Sequence, residues 1–156
     1  MRSLKILCLS ITGCIALACT APAYADHYEF DKSHTHIAFF INHLGYSDML
    51  GIVSDYSGSF DFDPAHPENS KIDVTLRPDS ITTSSDILDH VLRGSNFFNT
   101  DKFPDMHFAS TSVKVTGDNT GDVIGNLTLL SATKTVVLHV HFNKAGYNTI
   151  DRKSVV

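Results

Sequence analysis

Residues 89–111 read DHVLRGSNFFNTDKFPDMHFAST. A helix runs into this stretch and ends at Arg93-Gly94. Its start is set by Thr83 to Asp86, which is capping-box-like, and its body carries i,i+4 apolar pairs at Ile87/Val91 and Leu88/Leu92. The expected span is about Ser84 to Arg93, with Gly94 as a natural C′ stop. The doublet Phe97-Phe98 follows, then a turn closed by Phe103-Pro104, then a strand that opens with Phe108. Four aromatics at those spacings, in a chain with no Trp, read as an apolar plug or lining rather than as catalytic machinery.

Outward from this stretch, period-two alternation dominates. Ile37, Phe39 and Ile41 share a strand face, as do Gly58, Phe60 and Phe62, with Ser59, Asp61 and Asp63 opposite. Ile72, Val74 and Leu76 alternate with Asp73, Thr75 and Arg77. Val123, Gly125, Leu127 and Leu129 repeat the pattern, and so do Val136, Leu138, Val140 and Phe142. One apolar and one polar face per strand is the signature of antiparallel sheets; a buried parallel sheet would read as continuous apolar runs. Turn residues punctuate at 63–67, 77–79, 117–121 and 131–132, and the Gly117 turn joins the Phe108 and Leu127 strands as a hairpin. These strands must close on themselves or stack, and alternation alone leaves barrel and sandwich both open.

The motifs choose between them. Asp89, Leu92, Arg93, Phe97, Phe98, Asn99, Lys102, Phe103, Pro104, Phe108, Ser110 and Thr111 resemble the D-x-H-L-R-x-x-x-F-F-[DN]-x-x-[KR]-[YF]-P…F-x-S-T block of the YceI-like family of periplasmic polyisoprenoid-binding proteins. His43-Leu44-Gly45-Tyr46-Ser47 with Gly51, Gly58, Phe60, Phe62 and Asp63 is similar to a second family block. Gly125 to Val136 is similar to the family's G-x-L-T hairpin. Three departures stand out: Val91 falls where the family has a helix histidine, with His90 one place earlier; Ser131 replaces a hairpin glycine, where positive φ is expected; Thr135 replaces a proline.

The resemblance implies an all-β fold: a lipocalin-like, elongated, antiparallel eight-stranded barrel with one short helix near its mouth. Barrels of that strand number can hold one slender ligand. The implied ligand is a long apolar lipid, a polyisoprenoid, isoprenoid quinone or long acyl chain, bound for sequestration or transport. Within such a barrel alternation points Phe39, Ile41, Phe60, Phe62, Val74 and Leu76 toward the guest, together with Leu127 and Leu129. Phe97 and Phe98 fall at the helix-side rim, and His43 either contacts a head group or braces its loop. Implied partners are the lipid itself, a membrane met only transiently, and a membrane redox or lipid-handling protein.

The ends of the chain read differently. Arg2 and Lys5, the apolar Ile6–Ala18 and the small-x-small Ala23-Tyr24-Ala25 form a signal peptide over residues 1–25, cleaved after Ala25 for export to the periplasm. Lipid attachment at Cys19 competes with this reading; Ala16, where leucine is preferred, and the good site at Ala25 favour cleavage. Cys8, Cys14 and Cys19 all lie in that leader, so the domain at 26–150 is expected to lack disulfides and thiol chemistry. The last six residues, DRKSVV (151–156), break the family pattern, match the translation of a common sequencing adapter, and read as read-through after a domain whose last strands are missing.

Charge and motifs narrow the alternatives. Residues 26–150 hold sixteen of the seventeen acidic residues and eight of the twelve basic ones, net −8, which argues against nucleic acid as a partner. His34-x-His36 and His139-x-His141 have strand-borne metal-pair spacing, and with His43 they supply the alternative of a metal- or haem-associated periplasmic protein. His139 and His141 oppose an apolar face and are expected outside, without a third ligand, so the reading assigns no metal and no cofactor. A ligand-free, partner-binding barrel is the other alternative. Ser84-Ser85 with Asp86 and Asp89 fit a helix start and its solvent face, and Gly117 and Gly121 fit a turn, so the chain reads as a binding protein, not an enzyme.

Overall fold

Strands with one apolar face gain stability only when those faces meet, and antiparallel pairing brings them together. A computed structural model describes residues 25–149 and 153–156. The expected leader lies outside the described residues except for Ala25, as do Ile150, Asp151 and Arg152. The strands are β1 (Asp26–Glu29), β2 (Ile37–His43), β3 (Ser47–Val53), β4 (Tyr56–Phe62), β5 (Lys71–Leu76), β6 (Ile81–Thr82), β7 (Met106–Gly117), β8 (Thr120–Leu129), β9 (Ala132–His141), β10 (Gly146–Tyr147) and β11 (Ser154–Val155). The helix α1 spans Asp86–Arg93.

Six strands form one antiparallel sheet in the order β1-β4-β5-β7-β8-β9; β2-β3-β6 form a second, and β10-β11 a third. The all-β antiparallel architecture with one short helix stands as read from the sequence. The barrel does not close: β1 and β9 are the two edges of the large sheet, and neither has a second strand neighbour among the described residues. Closure requires every strand to be paired on both sides. The 151–156 segment contributes β11, paired with β10 through Gly146↔Val155 and Tyr147↔Ser154.

Register rows explain the faces. Tyr28 pairs with Phe60 and Phe60 with Ile72, while Val74 pairs with Phe108 and Phe108 with Leu127. β7 breaks its own alternation at bulges between Ser110 and Ser112 and between Val115 and Gly117. The extra residue moves Val113 and Val115 to the face that Met106 and Phe108 serve earlier in the strand. Two glycines are fixed by close approach: a Cβ at Gly51 would overlap the Phe39 ring across the β2–β3 ladder, and one at Gly125 would overlap the Phe108 ring.

The helix end holds the driest core. Val53, Ile81 and Leu92 are buried together, with Phe39, Ile41, Leu76, Leu88 and Phe98 packed against them. Only one of the two i,i+4 pairs, Leu88/Leu92, faces this core; Ile87 and Val91 are exposed.

Several local expectations change. The N-cap is Ser85, whose Oγ accepts from the Leu88 N–H at 3.3 Å, while Thr83 is drawn away to bond Asp89. Gly94 ends the helix in extended backbone (φ −66°), its N–H donating to the His90 and Val91 carbonyls; the left-handed residue is Asn99 (φ 47°). In the β8–β9 turn positive φ falls on Leu130 (56°), not on Ser131. Asp63 and Asp89, read as solvent-facing, are each only 6% exposed. Asp63 Oδ1 accepts from the Ala65 N–H at 2.8 Å and caps its turn. Asp89 accepts from the Thr83 N–H at 2.7 Å and the Thr83 hydroxyl at 2.6 Å, tying the helix to the chain that enters it.

Candidate functional site

The far end of the large sheet is open and aromatic. Phe60 on β4 stacks on Tyr28 of β1 (centroids 5.1 Å) and touches Phe30 (5.5 Å); Phe62 meets Phe142 at 5.2 Å. Phe142 is carried there just beyond β9 by its N–H bond to the Asn119 carbonyl in the β7–β8 turn, 2.8 Å. Between these groups lies a cleft of about 420 Å³, lined mainly by Phe30, Phe60, Phe62, Phe142 and the valines 113, 115, 123 and 140. That volume falls within the roughly 300–1,000 Å³ of small-molecule sites. Lys71, His141, Asn143 and Asp118 also contribute to the lining, as do Val156 and Ser70. Among the described residues the buried Ser70 Oγ has no hydrogen-bond partner, an unusual state for a hydroxyl.

The expected lining residues separate into groups. Phe60 and Phe62 line this cleft. Phe39, Ile41, Leu76 and Phe98 lie at the other end, around Val53, Ile81 and Leu92. Val74, Leu127 and Leu129 are half-buried on the intervening sheet. Phe97 is 51% exposed, and His43 is exposed at the end of β2. Phe30, Phe142 and the valines of the bulged β7 were not among the expected set. The even alternation of Val136, Leu138, Val140 and Phe142 could have signalled the last of these aromatics, whereas β1–β4 pairing and the bulges have no local sequence signal.

Three of the four histidines in the two spaced pairs are engaged with a carboxylate or an amide. His34 Nδ1 lies 2.8 Å from Asp31, His139 Nδ1 2.7 Å from Asp122, and His141 Nδ1 3.2 Å from Asn143. Among the described residues, no three His, Cys, Asp or Glu side chains cluster as metal ligands would. Hydrogen bonds from His34 and then Ser33 hold the Asp31 carboxyl down to about 2. The Thr83 hydroxyl and N–H hold Asp89 below its ordinary 3.8, against the opposing effect of its burial.

An antiparallel all-β scaffold with one short helix and an aromatic cleft is the architecture of a small-ligand-binding protein class. Residues 28–155 match the YceI-like domain family, and the chain belongs to that family. A UPF0312 protein of Pseudomonas savastanoi is 41% identical over 133 residues, covering 84% of this chain and 69% of the relative. One from Pectobacterium atrosepticum is 42% identical over 137 residues, 86% and 71%. The crystal structure of Campylobacter jejuni YceI superposes with a TM-score of 0.65 at 35% identity, over 81% of this chain and 74% of that one. Burkholderia cenocepacia BcnA shares the fold (TM-score 0.69, 20% identity, 76% and 72% coverage).

Proposed function

We propose that this protein binds one long apolar ligand (a polyisoprenoid, isoprenoid quinone or long acyl chain) in the cleft at Phe60, Phe62 and Phe142, and carries or sequesters it in the periplasm. The observation that carries the reading is the cleft itself: four phenylalanines and four valines converge on one open volume instead of filling it. Such a lining holds a guest by area burial, worth about 0.8 kcal/mol per methylene removed from water, and needs few polar contacts. Family membership supports a binding role over a catalytic one. The leader at 1–25 supports export, and cleavage after Ala25 is checked by N-terminal sequencing of the secreted product.

The test is native mass spectrometry of the protein purified from its exporting host, before and after organic extraction. A removable adduct with the mass of an isoprenoid or long acyl compound is expected. A bare polypeptide from well-folded protein, taking up neither farnesol nor a long-chain fatty acid, would sink the proposal.

A further inference from the structure

The β2–β3 hairpin carries large apolar side chains on both of its faces and at its tip. Residues 37–53, IAFFINHLGYSDMLGIV, contain a single formal charge, Asp48, and its carboxylate is already bonded to the Asn42 amide at 3.0 Å. The inward face supplies Phe39, Ile41 and Val53 to the core region. The outward face is apolar at its middle: Phe40 pairs with Leu50 across the ladder, and both are exposed, Phe40 by 71%. At the tip, Leu44 is 81% and Tyr46 88% exposed. The hydrogen-bonded Asn42–Asp48 pair separates Phe40 and Leu50 from the tip, so Leu44 and Tyr46 stand as an apolar projection of their own, and large apolar side chains held out in water mark an interaction site.

The tip is also held in a costly shape. Leu44 has φ 55°, in the left-handed region where glycine or asparagine sits more easily. The Gly45 N–H donates to Asn42 Oδ1 at 2.8 Å and the Tyr46 N–H to the His43 carbonyl at 3.0 Å, so the turn presents both side chains in a fixed arrangement. A backbone strained to hold a leucine in water points to a partner that removes it from water.

We propose that this tip docks into the interface of a zwitterionic lipid bilayer, with Leu44 reaching the acyl boundary and Tyr46 keeping its hydroxyl among the head groups. Charge selects this partner. The chain is net −5 and the hairpin has no lysine or arginine, so an anionic membrane or an acidic protein gains nothing here, whereas a neutral lipid surface asks for no countercharge. A projecting Leu-Gly-Tyr tip suits a deformable surface, and tyrosine is at home at the head-group level. Insertion is shallow. Among the described residues β2 is an edge of its sheet, and edge backbone groups cannot enter the hydrocarbon. Among the described residues no helix is long and apolar enough to cross a membrane. Docking does not depend on what fills the cleft at Phe60.

The chain has no tryptophan, so Tyr46→Trp in the full chain gives a single emitter at the tip. With phosphatidylcholine vesicles, its emission is expected to shift to the blue and to be quenched by lipids brominated on their acyl chains. Adding Leu44→Asp should weaken vesicle partition about tenfold or more. A Val137→Trp reporter, on the exposed side of β9, should not shift; any contribution of the N-terminal apolar stretch to binding is common to both reporters. The proposal is overturned if the emission of the Tyr46→Trp variant stays solvent-like with vesicles, if both reporters shift alike, or if Leu44→Asp changes nothing. A blue shift that instead follows protein concentration without lipid would assign the tip to a second copy of the chain and overturn it as well.

Discussion

The two ends of this molecule are built by different rules, and β5 runs from one to the other. At its Leu76 end the structure is dry and tied together: Ile81 is fully buried with Val53 and Leu92, and Arg93 donates to the carbonyls of Asp79 (2.8 Å) and Ile81 (2.6 Å). At its Lys71 end the sheet opens on Phe60, Phe62 and Phe142 around empty volume. The motif block at 89–111 belongs to the first end. Asp89 and Arg93 are bonded to backbone there, and Asn99, in the left-handed region, turns its main-chain carbonyl to accept from the Lys102 and Phe103 amides, so the most diagnostic residues of the sequence are fastenings. The cleft, by contrast, is made of ordinary strand residues whose importance lies in which strands meet.

The sharpest contrast is in stability. Ile81→Ala at the dry end removes a fully buried side chain from a cluster with little room to collapse, and should cost about 2–5 kcal/mol by urea unfolding. Out of a typical total of about 5–15 kcal/mol, that is a large loss. A cost below that range would mean the cluster is not the stabilising core and the two ends are alike.

Phe60→Asp probes the other end. It breaks the stack with Tyr28 and puts a carboxylate in the cleft. Ligand retention should fall by about tenfold or more, since burying an unpaired charge against a hydrocarbon guest is strongly unfavourable. A folded mutant that keeps its lipid would show that the guest lies elsewhere.

This contrast also separates what the sequence made legible from what it did not. Strand alternation outside β7, the helix (which starts two residues later than expected, at Asp86) and the Gly117 hairpin depend on local periods and turn chemistry, and they are present. The barrel's closure depends on partners for β1 and β9, which no local pattern specifies. Phe39 and Phe60 look equivalent by alternation, yet β2 and β4 enter different sheets, so one packs at the dry end and the other lines the cleft. Val113 and Val115 reach the cleft only because a bulge shifts β7 by a residue, which period-two counting cannot see. Asp63 and Asp89 read as surface because charge is normally exposed; backbone N–H groups waiting at a turn and at a helix entry bury them.

A smaller effect comes from acid. Asp89 and Asp31 both have folded-state pKa values below their ordinary 3.8, Asp31 at about 2. A depressed carboxylate stabilises the fold above its unfolded value and loses that contribution as pH falls through the folded one. The melting temperature should therefore be steady above about pH 5 and fall progressively from about pH 4 toward pH 2. Asp89→Asn should lower the neutral-pH plateau and flatten the descent; an unchanged pH profile in that variant would remove Asp89 from the fastening of the dry end.

The smallest expected change is at Ser70, and its sign is what matters. Its Oγ is buried in the wall of the cleft with no partner among the described residues, so the empty protein carries the cost of a desolvated hydroxyl. Ser70→Ala should raise stability by about 1 kcal/mol. The backbone N–H of Ser70 keeps its bond to the Pro67 carbonyl at 3.1 Å, so the 3-10 turn at Pro67–Asn69 is unaffected. In the loaded protein the outcome depends on the guest. A hydrocarbon leaves the gain intact, whereas a ligand oxygen that accepts a hydrogen bond from the serine hydroxyl reverses it, because the alanine variant then forfeits a bond made in an apolar wall. Unfolding curves of both proteins, each with farnesol and with its hydrocarbon counterpart farnesene, read that sign directly. A loss of stability in the empty alanine variant would show that Ser70 Oγ is bonded after all, and that the open end is fastened more like the dry one.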